Sequence, residues 1–142
     1  MAKRSIREVM TKDPVTCSAS DMIVDAARAM RENDIGDVVV LDDSQQICGI
    51  LTDRDITVKV VAVGKDVTTT KIGEFCTRDV STLTPDDTVG DAVAMMSKRA
   101  IRRLPIVENG KPVGIVSLGD LAVTQDPESV LAGISAAPSD QP

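Results

Sequence analysis

Two stretches of the sequence decide its fold: Gly49-Ile50-Leu51-Thr52-Asp53-Arg54-Asp55 and Gly114-Ile115-Val116-Ser117-Leu118-Gly119-Asp120. Each begins as an apolar run that predicts a buried strand. Each then reaches a hydroxyl residue, followed three positions later by an aspartate at the start of a predicted helix. The second aspartate lies 65 positions after the first (120 − 55). This recurrence predicts an internal repeat.

The repeat extends upstream of both stretches. Four pairs of identical residues lie 66 positions apart: Glu8 and Glu74, Asp13 and Asp79, Thr16 and Thr82, Ala26 and Ala92. The separation falls to 65 beyond Asn109-Gly110, because this predicted hairpin turn is one residue shorter than Asp42-Asp43-Ser44 in the first half. A duplicated unit tolerates such a deletion in a turn.

Each half is predicted to contain a helical turn, a short strand, a helix, two further strands and a final helix. In the first half these are Ile6 to Met10, Val15 to Cys17, a helix of about 13 residues capped by Ser20, Val38 to Leu41, Ile47 to Leu51, and Asp53 to Val61 capped by Thr52. In the second half Thr84 is the predicted N-cap and Pro85 the first helical residue, and Pro105 indicates an edge or the start of a strand. The buried helix faces are predicted to be Ile23, Ala26, Ala27 and Met30, and then Val89, Ala92, Val93 and Met96.

Composition excludes several classes of function. The chain has 142 residues, 42% of them apolar, so a substantial core is expected. Phe75 is its one aromatic residue and the formal net charge is −6. Both facts argue against a nucleic-acid partner, which needs basic contacts and often stacking rings. No apolar run suits a membrane span or a signal peptide, so we expect a cytoplasmic protein with no membrane partner.

The sequence lacks the residue arrangements that usually carry catalysis or bind metals. Cys17, Cys48 and Cys76 are widely spaced and odd in number, which predicts buried reduced thiols rather than disulfides or a zinc site. The chain has no His, no serine elbow and no glycine-rich phosphate loop. We therefore predict neither an enzyme nor a metal site.

With these elements, each half resembles a CBS domain, whose strand–helix–strand–strand–helix order ends here in Gly-Ile-x-[Thr/Ser]-x-x-Asp. The resemblance covers Ile6 to Thr124 and implies an α/β (α+β) fold, a tandem CBS pair with pseudo-twofold symmetry. The implied domains are residues 6–64 and 72–124, with a linker at 65–71 and a partly disordered tail at 125–142. The run Leu51-Thr52-Asp53-Arg54-Asp55-Ile56 is also similar to small stand-alone bacterial stress proteins, including hypoxic-response proteins.

This resemblance implies a non-catalytic regulatory module whose clefts between the halves bind adenosine-containing ligands of the AMP, ATP, S-adenosylmethionine or NAD type. The adenine nucleotide or S-adenosylmethionine would be a regulatory ligand, and no cofactor is obligatory. A homodimer and a regulated protein that the sequence does not identify are also implied. The alternative is a ligand-independent dimeric interaction or stress-response protein, because apolar helix faces also serve assembly.

By the same resemblance, site residues divide into a stronger and a weaker cleft. The stronger cleft is expected to comprise Met10, Val15, Ile35, Gly36, Arg102, Arg103, Ser117, Gly119 and Asp120. The weaker cleft is expected to comprise Thr52, Arg54, Asp55, Ser81 and Ile101. The ranking follows from charge: Arg102 and Arg103 suit a phosphate, whereas their counterparts in the first half are Gly36 and Asp37, and an acid repels phosphate. Arg54 would compensate in part.

A structural alternative exists for each of these motifs. The spacings Thr52-x-x-Asp55 and Ser117-x-x-Asp120 also match helix capping boxes, in which the two side chains only satisfy backbone N–H groups. Arg102 and Arg103 fit a solvated basic patch near a helix C-terminus equally well. Both alternatives remain open at the level of sequence.

Overall fold

The computed structural model describes residues 4–76, 78 and 80–125. Its helices and strands are, in chain order, α1 (Ile6–Val9), β1 (Thr11–Lys12), β2 (Thr16–Ser18), α2 (Ile23–Asn33), β3 (Asp37–Leu41), β4 (Ile47–Thr52), α3 (Asp53–Asp55), a π-helical segment (Ile56–Val61), a 3₁₀ turn (Ile72–Glu74), α4 (Val89–Arg99), β5 (Arg103–Glu108), β6 (Lys111–Ser117) and α5 (Leu118–Gln125). The helical turn and the disorder expected beyond residue 125 lie outside the described residues.

The chain forms two compact units that do not follow the order of the repeats. The first unit is Pro14–Val80, and the second unit is Met1–Asp13 together with Ser81–Pro142. The short segment at the start of each repeat therefore belongs to the unit built mainly from the other repeat. Backbone hydrogen bonds within each unit show how this happens.

In the first unit, the start of α2 is tied to the segment that precedes the second repeat. The N–H of Ile23 donates to the Thr70 carbonyl at 2.8 Å, and the N–H of Ile72 donates to the Asp21 carbonyl at 2.9 Å. Thr70 is only 8% exposed. Part of the segment expected to be a linker is thus packed against α2.

The second unit repeats these contacts with the N-terminal segment. The N–H of Val89 donates to the Arg4 carbonyl at 3.0 Å, and the N–H of Ile6 donates to the Asp87 carbonyl at 2.8 Å. Each of these residues lies 66 positions before or after its counterpart in the first unit (70 − 4, 72 − 6, 87 − 21 and 89 − 23). Each unit therefore contains the opening segment, here called the entry segment, of the repeat that makes up most of the other unit.

Each unit has a three-stranded sheet with a helix on an apolar core. In the first unit the order is β2-β3-β4, with β2 parallel and β4 antiparallel to β3. Its β3 is buried along Asp37 to Val40, as the β-branched run predicts. In the second unit the order is β1-β6-β5, with both pairs antiparallel. Here β5 is the outermost strand and carries Pro105. A single parallel bridge to Leu83 is formed on its outer side, so the strand is only partly paired there, as the proline predicts.

The helix starts predicted at Ser20 and Thr84 are wrong. α2 begins at Ile23 because its first N–H groups find carbonyls in the packed segment before the second repeat, while the Ser20 hydroxyl bonds that of Ser18 at 2.8 Å. α4 begins at Val89, and the residue that caps it is Thr88, whose Oγ1 accepts the Asp91 N–H at 3.1 Å. Long-range backbone contacts, which local sequence does not encode, set the start of α2. The start of α4 also has a local signal that the sequence prediction missed, the capping box Thr88-x-x-Asp91.

Of two further local predictions, one is wrong at a single residue and the other is confirmed. Val93, expected on the buried face of α4, is 42% exposed, whereas Val89, Ala92 and Met96 are buried as predicted. The hairpin turn Asn109-Gly110 is confirmed, since both residues have positive φ, 55° and 80°, as a type I′ turn requires. Among the described residues, no helix combines the length and the apolar character that crossing a membrane would require.

Candidate functional site

The end of β6 forms a polar turn in the second unit. The N–H of Asp120 donates to Ser117 Oγ at 3.0 Å, and Asp120 Oδ2 accepts the Ser117 N–H at 3.0 Å. Both side chains are half-buried. This is a capping box at the start of α5, and we call it the second box. The structural role that the sequence left open for these two residues is therefore real.

Two arginines lie beside the second box. Arg103 is directly opposite Ser117 in the register of β5 and β6, and opposite side chains in an antiparallel pair have Cβ atoms about 5 Å apart. The Arg102 carbonyl accepts the N–H of Leu118, the first residue of α5, at 2.7 Å. Both arginine side chains are exposed. The strand register thus holds two cations next to the hydroxyl and the carboxylate.

Met10 lies over the same sheet. A Cβ built on Gly114 would lie 2.5 Å from Met10 Sδ, so the thioether covers the position at which that glycine lacks a side chain. Met10 also packs against the core of the second unit together with Ile101. The second unit therefore contains six of the residues predicted for the stronger cleft: Met10, Arg102, Arg103, Ser117, Gly119 and Asp120.

The end of β4 forms the equivalent first box in the first unit. The N–H of Asp55 donates to Thr52 Oγ1 at 3.0 Å, and Asp55 Oδ2 accepts the Thr52 N–H at 3.0 Å. Lys59 Nζ pairs with Asp55 Oδ1 at 3.1 Å. The exposed side chain of Arg54, the expected cation, makes no ion pair with a described carboxylate. The sequence prediction missed Lys59, although an aspartate four residues before a lysine on a helix indicates such a pair.

The surroundings of the first box are acidic. Asp37 lies opposite Thr52 in the register of β3 and β4 and is only 7% exposed. A Cβ on Gly36 would lie 3.0 Å from Asp53 Oδ2, so the missing side chain leaves room for that carboxylate. In the second unit the counterparts of Gly36, Asp37 and Asp53 are Arg102, Arg103 and Leu118. The structure thus shows opposite charge beside two boxes of the same geometry.

The remaining predicted site residues do not lie in the same unit as the box with which the resemblance groups them. Val15, Ile35 and Gly36, grouped with Asp120, lie in the first unit; Ser81 and Ile101, grouped with Asp55, lie in the second. Ile35 packs against the core of the first unit, and Ile101 against that of the second. Their assignment to shared clefts stays a prediction.

All three cysteines lie in the first unit, where they are half-buried rather than fully buried as predicted. Burial, followed by the charges of Asp21 and Asp25, raises the pKa of the Cys17 thiol to about 11. The pKa of the Cys76 thiol is also raised, chiefly by burial. A raised pKa disfavours the reactive thiolate, so neither thiol is activated as a nucleophile.

Comparison with known proteins confirms the resemblance that the repeat suggested. The CBS domain family model matches residues 6–62 and 72–124. An uncharacterized protein of Methanopyrus kandleri is 38% identical over 122 residues, which span 85% of this chain and 62% of that protein. Hypoxic response protein 1 of Mycobacterium tuberculosis is 30% identical over 116 residues, which span 82% of this chain and 81% of that protein.

A solved structure extends the comparison to ligands. The CBS domain pair of protein MJ0100, crystallised in complex with 5′-methylthioadenosine and S-adenosyl-L-methionine, superposes with a TM-score of 0.80 at 27% identity, covering 90% of this chain and 100% of that one. CBS-domain pairs are generally non-catalytic regulatory modules. This chain belongs to the CBS domain family, as a tandem pair of these domains.

Proposed function

We propose that the chain senses an adenosine-containing ligand and that the second box is its stronger, phosphate-compatible binding element. The observation that carries this proposal is the position of Arg103 directly opposite Ser117, beside the Asp120 carboxylate. A carboxylate suits the two hydroxyls of a ribose, and a guanidinium suits a phosphate. The adenosine compounds bound by the MJ0100 pair support the ligand class.

The capping role of Asp120 is compatible with ligand binding. A carboxylate offers about four acceptor positions, so accepting the Ser117 N–H does not by itself prevent the same group from binding a ligand. The cap also holds the carboxylate in one orientation before a ligand arrives, which lowers the entropic cost of binding. Capping and recognition are therefore two roles of the same side chain.

The first box is proposed to bind less anionic ligands, or to bind weakly. Asp37 lies beside it and is buried, and Asp53 adds a second carboxylate at the same turn. Lys59 neutralises Asp55 only in part, because its side chain is 50% exposed and solvent screens the pair. A phosphate next to the first box would meet more negative than positive charge.

The test is calorimetric titration of the purified chain with AMP, ATP, S-adenosylmethionine and NAD. Asp120→Ala is expected to weaken the binding of the phosphate-bearing ligands at least about tenfold, since a hydrogen bond to a charged group contributes about 1.5–3 kcal/mol. Asp91→Ala is the matched control, because it removes an equivalent capping carboxylate from α4 of the same unit. It should lower stability and leave affinity unchanged.

Two results would count against the proposal. If Asp55→Ala abolished AMP or ATP binding while Asp120→Ala left it intact, the ranking of the boxes would be wrong. If none of the four ligands bound, the boxes would be helix caps only. Ligand binding would regulate a partner protein only through different affinities for two arrangements of the chain.

A second candidate function, assembly without a ligand, is favoured by an apolar strip on the first unit. Val58, Val61 and Val63 are 46%, 58% and 62% exposed on and just after the π-helical segment. Contiguous exposed apolar side chains mark interaction surfaces. We propose that this strip joins two copies of the chain in a homodimer. Light scattering coupled to size exclusion should show a dimer that Val61→Asp dissociates, and an unchanged mass would contradict the proposal.

A further inference from the structure

The tip of the hairpin between β5 and β6 carries a reactive pair of residues, Asn109-Gly110. Asparagine is heat-labile in proteins because its side-chain amide can be lost. The loss is fastest where glycine follows, since no side chain then shields the backbone nitrogen that attacks the amide carbon. Asn109 is exposed, and its side chain makes no hydrogen bond with a described residue. Its amide is therefore accessible to attack.

The other asparagine of the sequence, Asn33, is constrained by its surroundings. Its Nδ2 donates to the Ala29 carbonyl at 2.8 Å in the last turn of α2. The backbone nitrogen that would attack Asn33 is that of Asp34, whose N–H donates to the Arg31 carbonyl at 3.4 Å. Asp34 also has a side chain that crowds the attack. The chain thus offers one accessible asparagine and one constrained asparagine for comparison.

The type I′ turn at Asn109 keeps the two reacting atoms apart. Attack joins the Gly110 nitrogen to Asn109 Cγ in a five-membered ring, which requires that nitrogen to lie on the same side of the Cα–C bond as Cβ. A type I′ turn has ψ of about 30° at its first central residue, which places the nitrogen on the side away from Cβ. The ring requires ψ of about −120°, which is the value found at the same position of a type II′ turn. The turn must therefore change type before the reaction.

This change of turn type does not require the hairpin to unfold. Asn109 already has φ of 55°, and both turn types need about 60° there. The change is a flip of the peptide plane between the two residues, in which φ of Gly110 goes from 80° to about −80°, and glycine adopts both values. Types I′ and II′ both join antiparallel strands through two residues. The flanking pair of Glu108 and Lys111 can therefore keep its register.

We propose that Asn109 is a site of spontaneous deamidation, which proceeds in the folded hairpin through a type II′ turn. The Gly110 nitrogen bonds to Asn109 Cγ, the bond from Cγ to Nδ2 breaks, and the amide leaves as ammonia with the proton that the Gly110 nitrogen gives up. Water then opens the cyclic imide at one of its two carbonyls, which yields aspartate or isoaspartate. The formal net charge changes from −6 to −7 (−6 − 1). This reaction is independent of ligand binding at either box.

The experiment compares the folded full chain with the same chain unfolded in guanidinium chloride, at one mildly alkaline pH. Samples taken over time are digested and analysed by mass spectrometry, which detects the replacement of an amide by a carboxyl group at each asparagine. We expect the folded chain to react at Asn109 within about a hundredfold of the unfolded rate. A reaction that required global unfolding would be slower by about a thousandfold or more, because the unfolded fraction of a folded protein is about 10⁻³ or less.

A matched variant and an internal control locate the reaction. Asn109→Gly has no amide at this position, and Gly-Gly also suits a type I′ turn. On anion exchange the wild-type chain should develop a more acidic peak that elutes with Asn109→Asp, whereas Asn109→Gly should not. Asn33 should stay intact in the folded chain while Asn109 reacts. A folded rate more than about a hundredfold below the unfolded rate, loss of the Asn33 amide before that of Asn109, or an acidic peak from Asn109→Gly at the wild-type rate would overturn the proposal.

Discussion

The substitution Gly114→Ala should destabilise the second unit, because Met10 covers this glycine. The new Cβ would lie 2.5 Å from Met10 Sδ, 3.0 Å from Met10 Cγ and 3.0 Å from the Thr11 carbonyl oxygen. The thioether can rotate away, but the Thr11 backbone is held by the pairing of β1 with β6, where Thr11 lies opposite Ile115. Met10 can therefore make room for the methyl group only at the expense of its packing, and the close approach to the Thr11 carbonyl oxygen remains.

The expected magnitude follows from two opposing effects. Overpacking a well-ordered site costs about 1–3 kcal/mol. Alanine in place of glycine reduces the entropy of the unfolded chain and returns about 0.4–1 kcal/mol. The net loss should be about 1–2 kcal/mol, which corresponds to roughly 4 °C of melting temperature for each kcal/mol in a domain of this size.

Urea unfolding monitored by far-ultraviolet circular dichroism measures this loss, since the chain has no Trp or Tyr for fluorescence. Gly90→Ala is the matched control: its Cβ would be 3.6 Å from Thr88 Oγ1, an ordinary contact, on the exposed face of α4. It should stabilise the chain by about 0.5–1 kcal/mol. In a Met10→Ala background the cost of Gly114→Ala should fall by more than half. A neutral Gly114→Ala, or the same cost in both backgrounds, would refute the reasoning.

Three further outcomes are expected. Thr88→Ala should cost about 1 kcal/mol in urea unfolding because it removes the cap of α4, whereas Thr84→Ala, at the position where sequence predicted the cap, should be nearly neutral; equal effects would contradict the helix start. Because folding raises the pKa of Cys17 from 9.0 to about 11, the unfolded chain loses this proton at a lower pH than the folded chain. The free energy of unfolding should therefore fall between pH 9.0 and about 11, and Cys17→Ser should flatten that fall in pH-dependent unfolding. Leu104→Ala, at a fully buried position, should cost about 2–5 kcal/mol, and a loss below 1 kcal/mol would show that the core relaxes around it.

Much of the fold could be predicted because the repeat doubles each weak local signal. The hydroxyl-x-x-Asp spacing predicted both boxes, and Thr52 and Ser117 do cap their helices. The charge contrast at Asp37 and Arg103 was also predictable, since alignment of the two halves places an acid and a base at one position of the same motif. These features depend on a few neighbouring residues, whose chemistry and spacing are visible in the sequence.

Local sequence determined the order of elements, the hairpin turns and the residues of the two boxes, because hydrophobic period, turn chemistry and capping spacing act over a few residues. Tertiary structure alone decided where α2 begins, how far the three thiols are buried, and how the entry segments are exchanged. Those outcomes depend on which distant carbonyl meets the N–H of Ile23 or Val89. Backbone N–H and C=O groups are the same in every residue except proline, so a sequence does not specify which distant pair will form.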